Sequence, residues 1–130
     1  MNGFLYLLMF FFAGVAEAHM DTLQFHFHRS VFAYFTNSTY WDPTISWKNK
    51  YKLRDSRYGA LFPGSTTIFV FITDAWHLMK FFRNIFLFLG LFFACQYVYG
   101  DLASSVIAVI TARVAYGIGF SAFMNLLLRD

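Results

Sequence analysis

The residues with the clearest capacity for chemistry lie in one stretch, EAHMDTLQFHFH, from Glu17 to His28, which sets two acids, a Gln and three His directly after an apolar segment. At 100° per residue Glu17, Asp21, Gln24 and His28 fall on one helical stripe within about 60°. A second group, Asp74, His77 and Asn84, falls within a stripe of about 90° in ITDAWHLMKFFRN. Mixed carboxylate and imidazole ligands suit a divalent transition metal, zinc, manganese or iron. Such an ion activates water or a hydroxyl group. Asp21, His28, Asp74 and His77 are therefore the candidate metal ligands, and Glu17, Asp21 and Asp74 the candidate catalytic acids and bases. His19 and His26 fall on the opposite side of the first stripe. On a helix His26 and His28 diverge, and they share a face only if the segment is extended.

The elements that must position these groups read as membrane helices. Gly3 to Ala16 carries no charge, and with the continuation to Met20 it approaches the ~20 residues needed to cross ~30 Å of hydrocarbon. Ala16-Glu17-Ala18 has the form of a signal-peptide cleavage site, but no Lys or Arg precedes the apolar run, so a retained span over about 3–20 is expected. No Gly or Pro occurs from Val15 to Phe35, which predicts that this helix continues past the bilayer as an amphipathic half. Thr66 to Tyr99 likewise contains no Pro. As one helix it would reach about 50 Å, beyond the bilayer thickness. The uncharged half gives a second span at 84–100, and 66–83 is either its amphipathic extension or a separate span. Gly100-Asp101 is a turn signal, and a third span follows at 102–128. Its Ser104, Ala108, Ala112, Ala115, Gly119 and Ala122 form a small-residue face suited to close helix packing or self-association. Arg113, on the other side of that helix, is an intramembrane charge at a depth where it could neutralise Glu17.

Between the first two long helices, residues 36–65 form the polar section, with Tyr40, Trp41, Trp47, Tyr51 and Tyr58 interleaved among Lys48, Lys50, Lys52, Arg54 and Arg57. Aromatic and basic residues together suit the headgroup layer, so this connection is expected to be ordered on the membrane surface. Every Lys and Arg except Arg113 and Arg129 falls between the first and second spans. The positive-inside tendency then puts the N-terminus outside, and the connection and C-terminus in the cytoplasm. Composition agrees: charged residues make up 13% and aromatic residues 23% of the chain, against about 25% charged in soluble domains. The expected fold is a single all-α integral membrane domain over 1–130, with three transmembrane helices. The first two extend beyond the cytoplasmic face, and an aromatic, basic interfacial connection joins them. Cys95 has no partner cysteine, which excludes a disulfide framework and a CxxC pair.

Counted at 1.5 Å per residue from the outer ends, Asp21 and His28 lie ~27 and ~38 Å along the first helix, and His77 and Asp74 ~35 and ~39 Å along the second. The two polar groups thus share the level of the cytoplasmic interface. This predicts a metal-dependent hydrolase or transferase acting on a lipid-linked phosphate or ester, with Lys48, Lys50 and Arg54 as headgroup or substrate ligands. The competing expectation is a non-enzymatic accessory or scaffold subunit whose connection docks a protein partner, the acids and His merely pairing to avoid lone burial. Proton or ion transport through Glu17, Asp21 and Arg113 ranks lower, because few polar residues continue to the outer side. No P-loop, GxSxG or HExxH is present. Nucleic-acid binding ranks last, for want of any recognisable module.

At DTLQFHFH (Asp21–His28), WDPTISWKNKYK (Trp41–Lys52) and GSTTIFVFITDAWHLMKF (Gly64–Phe81) the chain resembles small membrane proteins of bacteria in the Bacteroidota. The resemblance covers about half the chain, implies a membrane protein without an attached activity, and carries no site residue over.

Overall fold

The computed structural model describes residues 4–127, with side chains described through Val114 and at Ile118. It is all-helical, with no strand among the described residues. The long helices are α1 (Phe4–His26), α4 (Ala75–Tyr99) and α5 (Leu102–Leu127), and α2 (Ser38–Trp41) and α3 (Pro43–Ser46) are single turns in the connection. Two stretches, Phe4–Arg29 and Ala75–Tyr99, are long and apolar enough to cross a membrane. The chain divides into two compact units, Phe11–Phe86, and Met1–Phe10 with Leu87–Asp130.

In the Phe11–Phe86 unit, α1 buries Ala13, Ala16, Met20 and Leu23, and Phe27 continues the same three- and four-residue spacing. The facing part of α4 runs antiparallel: Phe12 meets Phe86, Glu17 pairs with Arg83, and Leu23 shares a core with Ala75. That core also takes Phe27 and Phe32, with Tyr40, Trp41 and Trp76 packed against it. Trp41 stacks on Phe32 at 5.3 Å and meets Phe35 edge-on at 4.9 Å.

The first helix does not continue to Phe35 as its lack of breakers predicts. The α-helix ends at His26, 3-10 turns cover Phe27–Arg29 and Val31–Tyr34, and Ser30 between them is extended. Phe27 and Phe32 explain the departure. On a continuous helix they would point about 140° apart, and only a broken path buries both in one core. The second long helix likewise starts at Ala75 and not at Thr66. The segment before it is rich in β-branched residues (Thr66, Thr67, Ile68, Val70, Ile72, Thr73), which lose side-chain freedom in a helix. It forms turns and a 3-10 turn at Val70–Ile72.

The connection is ordered by local capping. Asp42 accepts the Thr44 N–H at 2.9 Å, and Pro43 opens α3, where its missing N–H costs nothing. Asp55 accepts the Arg57 N–H at 2.9 Å and pairs with the Arg57 guanidinium, which holds its carboxyl below the usual carboxylate range. Tyr51 and Ala60 form an isolated antiparallel bridge. Gly64 has φ +86, and an added Cβ would lie 2.7 Å from the Phe69 ring, so only glycine fits that turn.

In the other unit, Tyr6 contacts Tyr97 at 5.9 Å, and a Cβ on Gly90 would meet the Phe10 ring at 3.1 Å. Gly100 (φ +73) ends α4, and Asp101 accepts the Ser104 N–H at 2.8 Å to open α5. The Gly-Asp pair thus makes the turn its sequence signals. Of the small-residue face on α5, Ser104, Ala108 and Ala112 have described side chains, whereas those of Ala115, Gly119 and Ala122 lie outside the described residues.

Candidate functional site

Asp74 sits at the N-cap of α4, where its carbonyl accepts the Leu78 N–H at 3.1 Å. One carboxylate oxygen, Oδ1, accepts the His77 backbone N–H at 2.9 Å, which is ordinary capping chemistry. The other, Oδ2, lies 2.7 Å from His77 Nδ1, and the Thr73 hydroxyl is 3.3 Å away. A cap needs only the first bond. The second fixes the imidazole, because an ionised carboxylate can only accept, so Nδ1 carries the hydrogen and Nε2 is the ring atom left for a proton, a metal or a substrate. Asp74 is 1% exposed, while the His77 side chain keeps 23% of its surface. The pair therefore combines a buried orienting acid with an accessible imidazole.

Around this pair stand residues that sequence reasoning did not connect with it. Tyr40 belongs to the adjoining core, and its hydroxyl pKa is raised by burial and then by the negative charge of Asp74. Trp76 meets the His77 ring edge-on at 5.1 Å, and Lys80 lies 5.1 Å over the Trp76 ring. The Trp76 indole N–H is buried without a hydrogen-bond partner among the described residues. Asn49 donates through Nδ2 to the carbonyls of Thr39 at 2.7 Å and Thr73 at 3.0 Å, which ties the connection to the residue before Asp74. Nothing local in the sequence signals that tie. Sequence reasoning set Asp74 inside a helical stretch over 66–83, and its cap role is a finding of the structure.

Asn49 supplies a stability test. Asn49→Ala is expected to lower stability by about 1–3 kcal/mol, the cost of leaving the part-buried Thr73 carbonyl unpaired. Asn49→Asp should be worse, because a carboxylate placed against two carbonyl oxygens repels them. Thermal unfolding of the purified variants in detergent checks the order.

The remaining candidates are distributed differently. Glu17 Oε2 accepts from Arg83 Nη1 at 2.8 Å, and Arg83 also donates to the Asn84 side chain. Asp21 and His28 are exposed, and neither joins Asp74 and His77 in a metal-ligand group: among the described residues no three His, Cys, Asp or Glu gather to hold an ion. The reason lies in helix geometry. Glu17, Asp21 and Gln24 each follow a residue of the buried seam (Ala16, Met20, Leu23) by one position, so their stripe points about 100° away from it. His28 lies beyond the end of the α-helix. Lys48 and Lys50 lie over the rings of Trp47 and Tyr51 at 5.6 and 5.5 Å, and Arg54 donates to the Ile45 carbonyl at 2.9 Å. Arg113 is on α5, in the other unit. No known protein family, curated protein or solved structure matches the chain.

Proposed function

We propose that this chain is a multi-pass membrane protein that uses Asp74 and His77 as an acid–base pair, in hydrolysis or transfer of a lipid-linked phosphate or ester at the cytoplasmic interface. The observation that carries the reading is the second Asp74 bond, which orients His77 while its ring stays accessible. The membrane placement has separate support. Phe4, Leu7, Phe11, Leu87, Val98, Ile107 and Ile110 are exposed, an apolar surface that water would not tolerate on this scale. In this reading α1, α4 and α5 each span the bilayer, with the N-terminus outside and the basic connection on the cytoplasmic surface. His77 Nε2 is also the atom a zinc, manganese or iron ion would take, with Asp74 behind the ring as such ligands commonly have.

The test is turnover in proteoliposomes, with long-chain phosphatidic acid for phosphate release and an acyl nitrophenyl ester for ester cleavage. His77→Ala is expected to lose at least about 100-fold. Wild-type turnover no higher than that of heated protein, or equal rates in His77→Ala, would defeat the reading. Elemental analysis of the same samples shows whether a metal accompanies His77. The exposed Trp47, Leu53, Tyr58 and Leu61 of the connection favour a second reading, an accessory subunit that docks a protein partner there. In that case His77→Ala keeps biological activity, and Trp47→Ala with Tyr58→Ala removes it.

A further inference from the structure

We propose that the cleft where α1 ends binds the phosphate of a membrane phospholipid. The cleft measures about 340 Å³ and is lined by Gln24, His26, His28, Arg29, Pro43 and Thr44 among others. Three of its side chains, His26, His28 and Arg29, bring N–H donors. Arg29 is always charged and matches phosphate oxygens with a planar fork, and each imidazole presents an N–H in either protonation state.

Two acceptors beside the cleft take their hydrogen bonds from their own segment. Asp42, next to the Pro43 wall, accepts both the Thr44 N–H at 2.9 Å and the Thr44 hydroxyl at 2.7 Å. The Phe27 carbonyl, in the 3-10 turn after α1, accepts from the Ser30 N–H at 3.0 Å and the Ser30 hydroxyl at 2.7 Å.

What surrounds the cleft decides the source of the phosphate. Phe25 lines the cleft and is 67% exposed, and Val31 and Tyr34, further along the chain and outside the lining, are 66% and 87% exposed. Large apolar groups interleaved with Arg and His suit the boundary between acyl chains and headgroups, and have no use around a free phosphate ion in water. The inference rests on the membrane placement above, which brings the end of α1 to that boundary, and it adds a binding site separate from Asp74 and His77.

The experiment titrates the full chain in detergent with dihexanoyl phosphatidic acid and, separately, with inorganic phosphate, following heat of binding. The short-chain lipid is expected to bind more tightly than the free ion. Arg29→Gln with His28→Gln should weaken the lipid about tenfold or more, as loss of charge-assisted hydrogen bonds implies. Phe25→Ala with Tyr34→Ala should weaken the lipid and leave the free ion unchanged. All four side chains are exposed, and circular dichroism checks that helix content is kept. Lipid binding unaffected by the Arg29 and His28 changes would overturn the site, and equal affinity for lipid and inorganic phosphate would overturn the lipid assignment. None of these variants touches Asp74 or His77, so the turnover test stands apart. Recovery of the protein from the soluble fraction would bring down the membrane placement itself.

Discussion

Asp74→Asn is expected to leave the protein folded and to cut His77-dependent turnover by roughly 10²–10⁴-fold, the usual range for losing general acid–base assistance. Asparagine caps a helix about as well as aspartate, so the Oδ1 bond to the His77 N–H survives. The other half of the side chain changes sign. An amide NH₂ must now face His77 Nδ1, which makes that nitrogen the acceptor and moves the ring hydrogen to Nε2, the atom that should take a proton from substrate. Asp74→Ala removes both functions and should additionally cost about 1–2 kcal/mol of stability for the lost cap. If Asn and wild type turn over alike while Ala is destabilised, the pair is a cap and nothing more. Nitrogen NMR of His77 reads the tautomer directly and separates the two cases without an assay.

The same substitution has a second readout at Tyr40. Its raised pKa comes mainly from burial and secondarily from Asp74, so neutralising Asp74 should bring it part of the way back. The sign for stability follows from proton linkage. A folded-state pKa above the unfolded value of about 10 means that the native state holds the proton more tightly. That contribution is fully present below pH of about 10 and is lost as pH rises through the raised value.

The other large effect is expected at Glu17 and Arg83. In water an exposed ion pair contributes about 0–1 kcal/mol, and removing either partner would matter little. Arg83 is only 17% exposed and Glu17 47% exposed. Under the proposed membrane placement, which puts lipid on that surface, Glu17→Gln should cost about 3 kcal/mol, because it strands a guanidinium that keeps only Asn84. Replacing both, Glu17→Gln with Arg83→Met, should recover most of the loss, since apolar substitutes for a buried pair are often neutral. A double-mutant cycle in detergent micelles measures the coupling. A coupling energy near zero would mean that the pair is solvated and lies outside the apolar layer.

How far the site could be read from the chain differs residue by residue. Asp74 and His77 were legible as members of one helical stripe, because residues three apart share a face and that rule is local. Where that helix begins was not. The β-branched residues before Asp74 and the need to bury both Phe27 and Phe32 shortened the two long helices at the ends where the polar groups lie. Asn49 carries no local mark of its role, since the carbonyls it joins are 10 and 24 residues away.

Composition and local rules were sufficient for the helical class, the long apolar helices and the Gly100-Asp101 turn. Each depends on residues within a few positions of one another. Tertiary packing alone decided which face of α1 meets α4. Periodicity displayed a polar stripe on that helix, and the structure adds a buried seam of small and large apolar residues a single position away. A helix chooses its contact face by fit against its partner. The seam of Ala13, Ala16, Met20 and Leu23 packs into the core, and this leaves Asp21 on the outside, in no ligand group with His77.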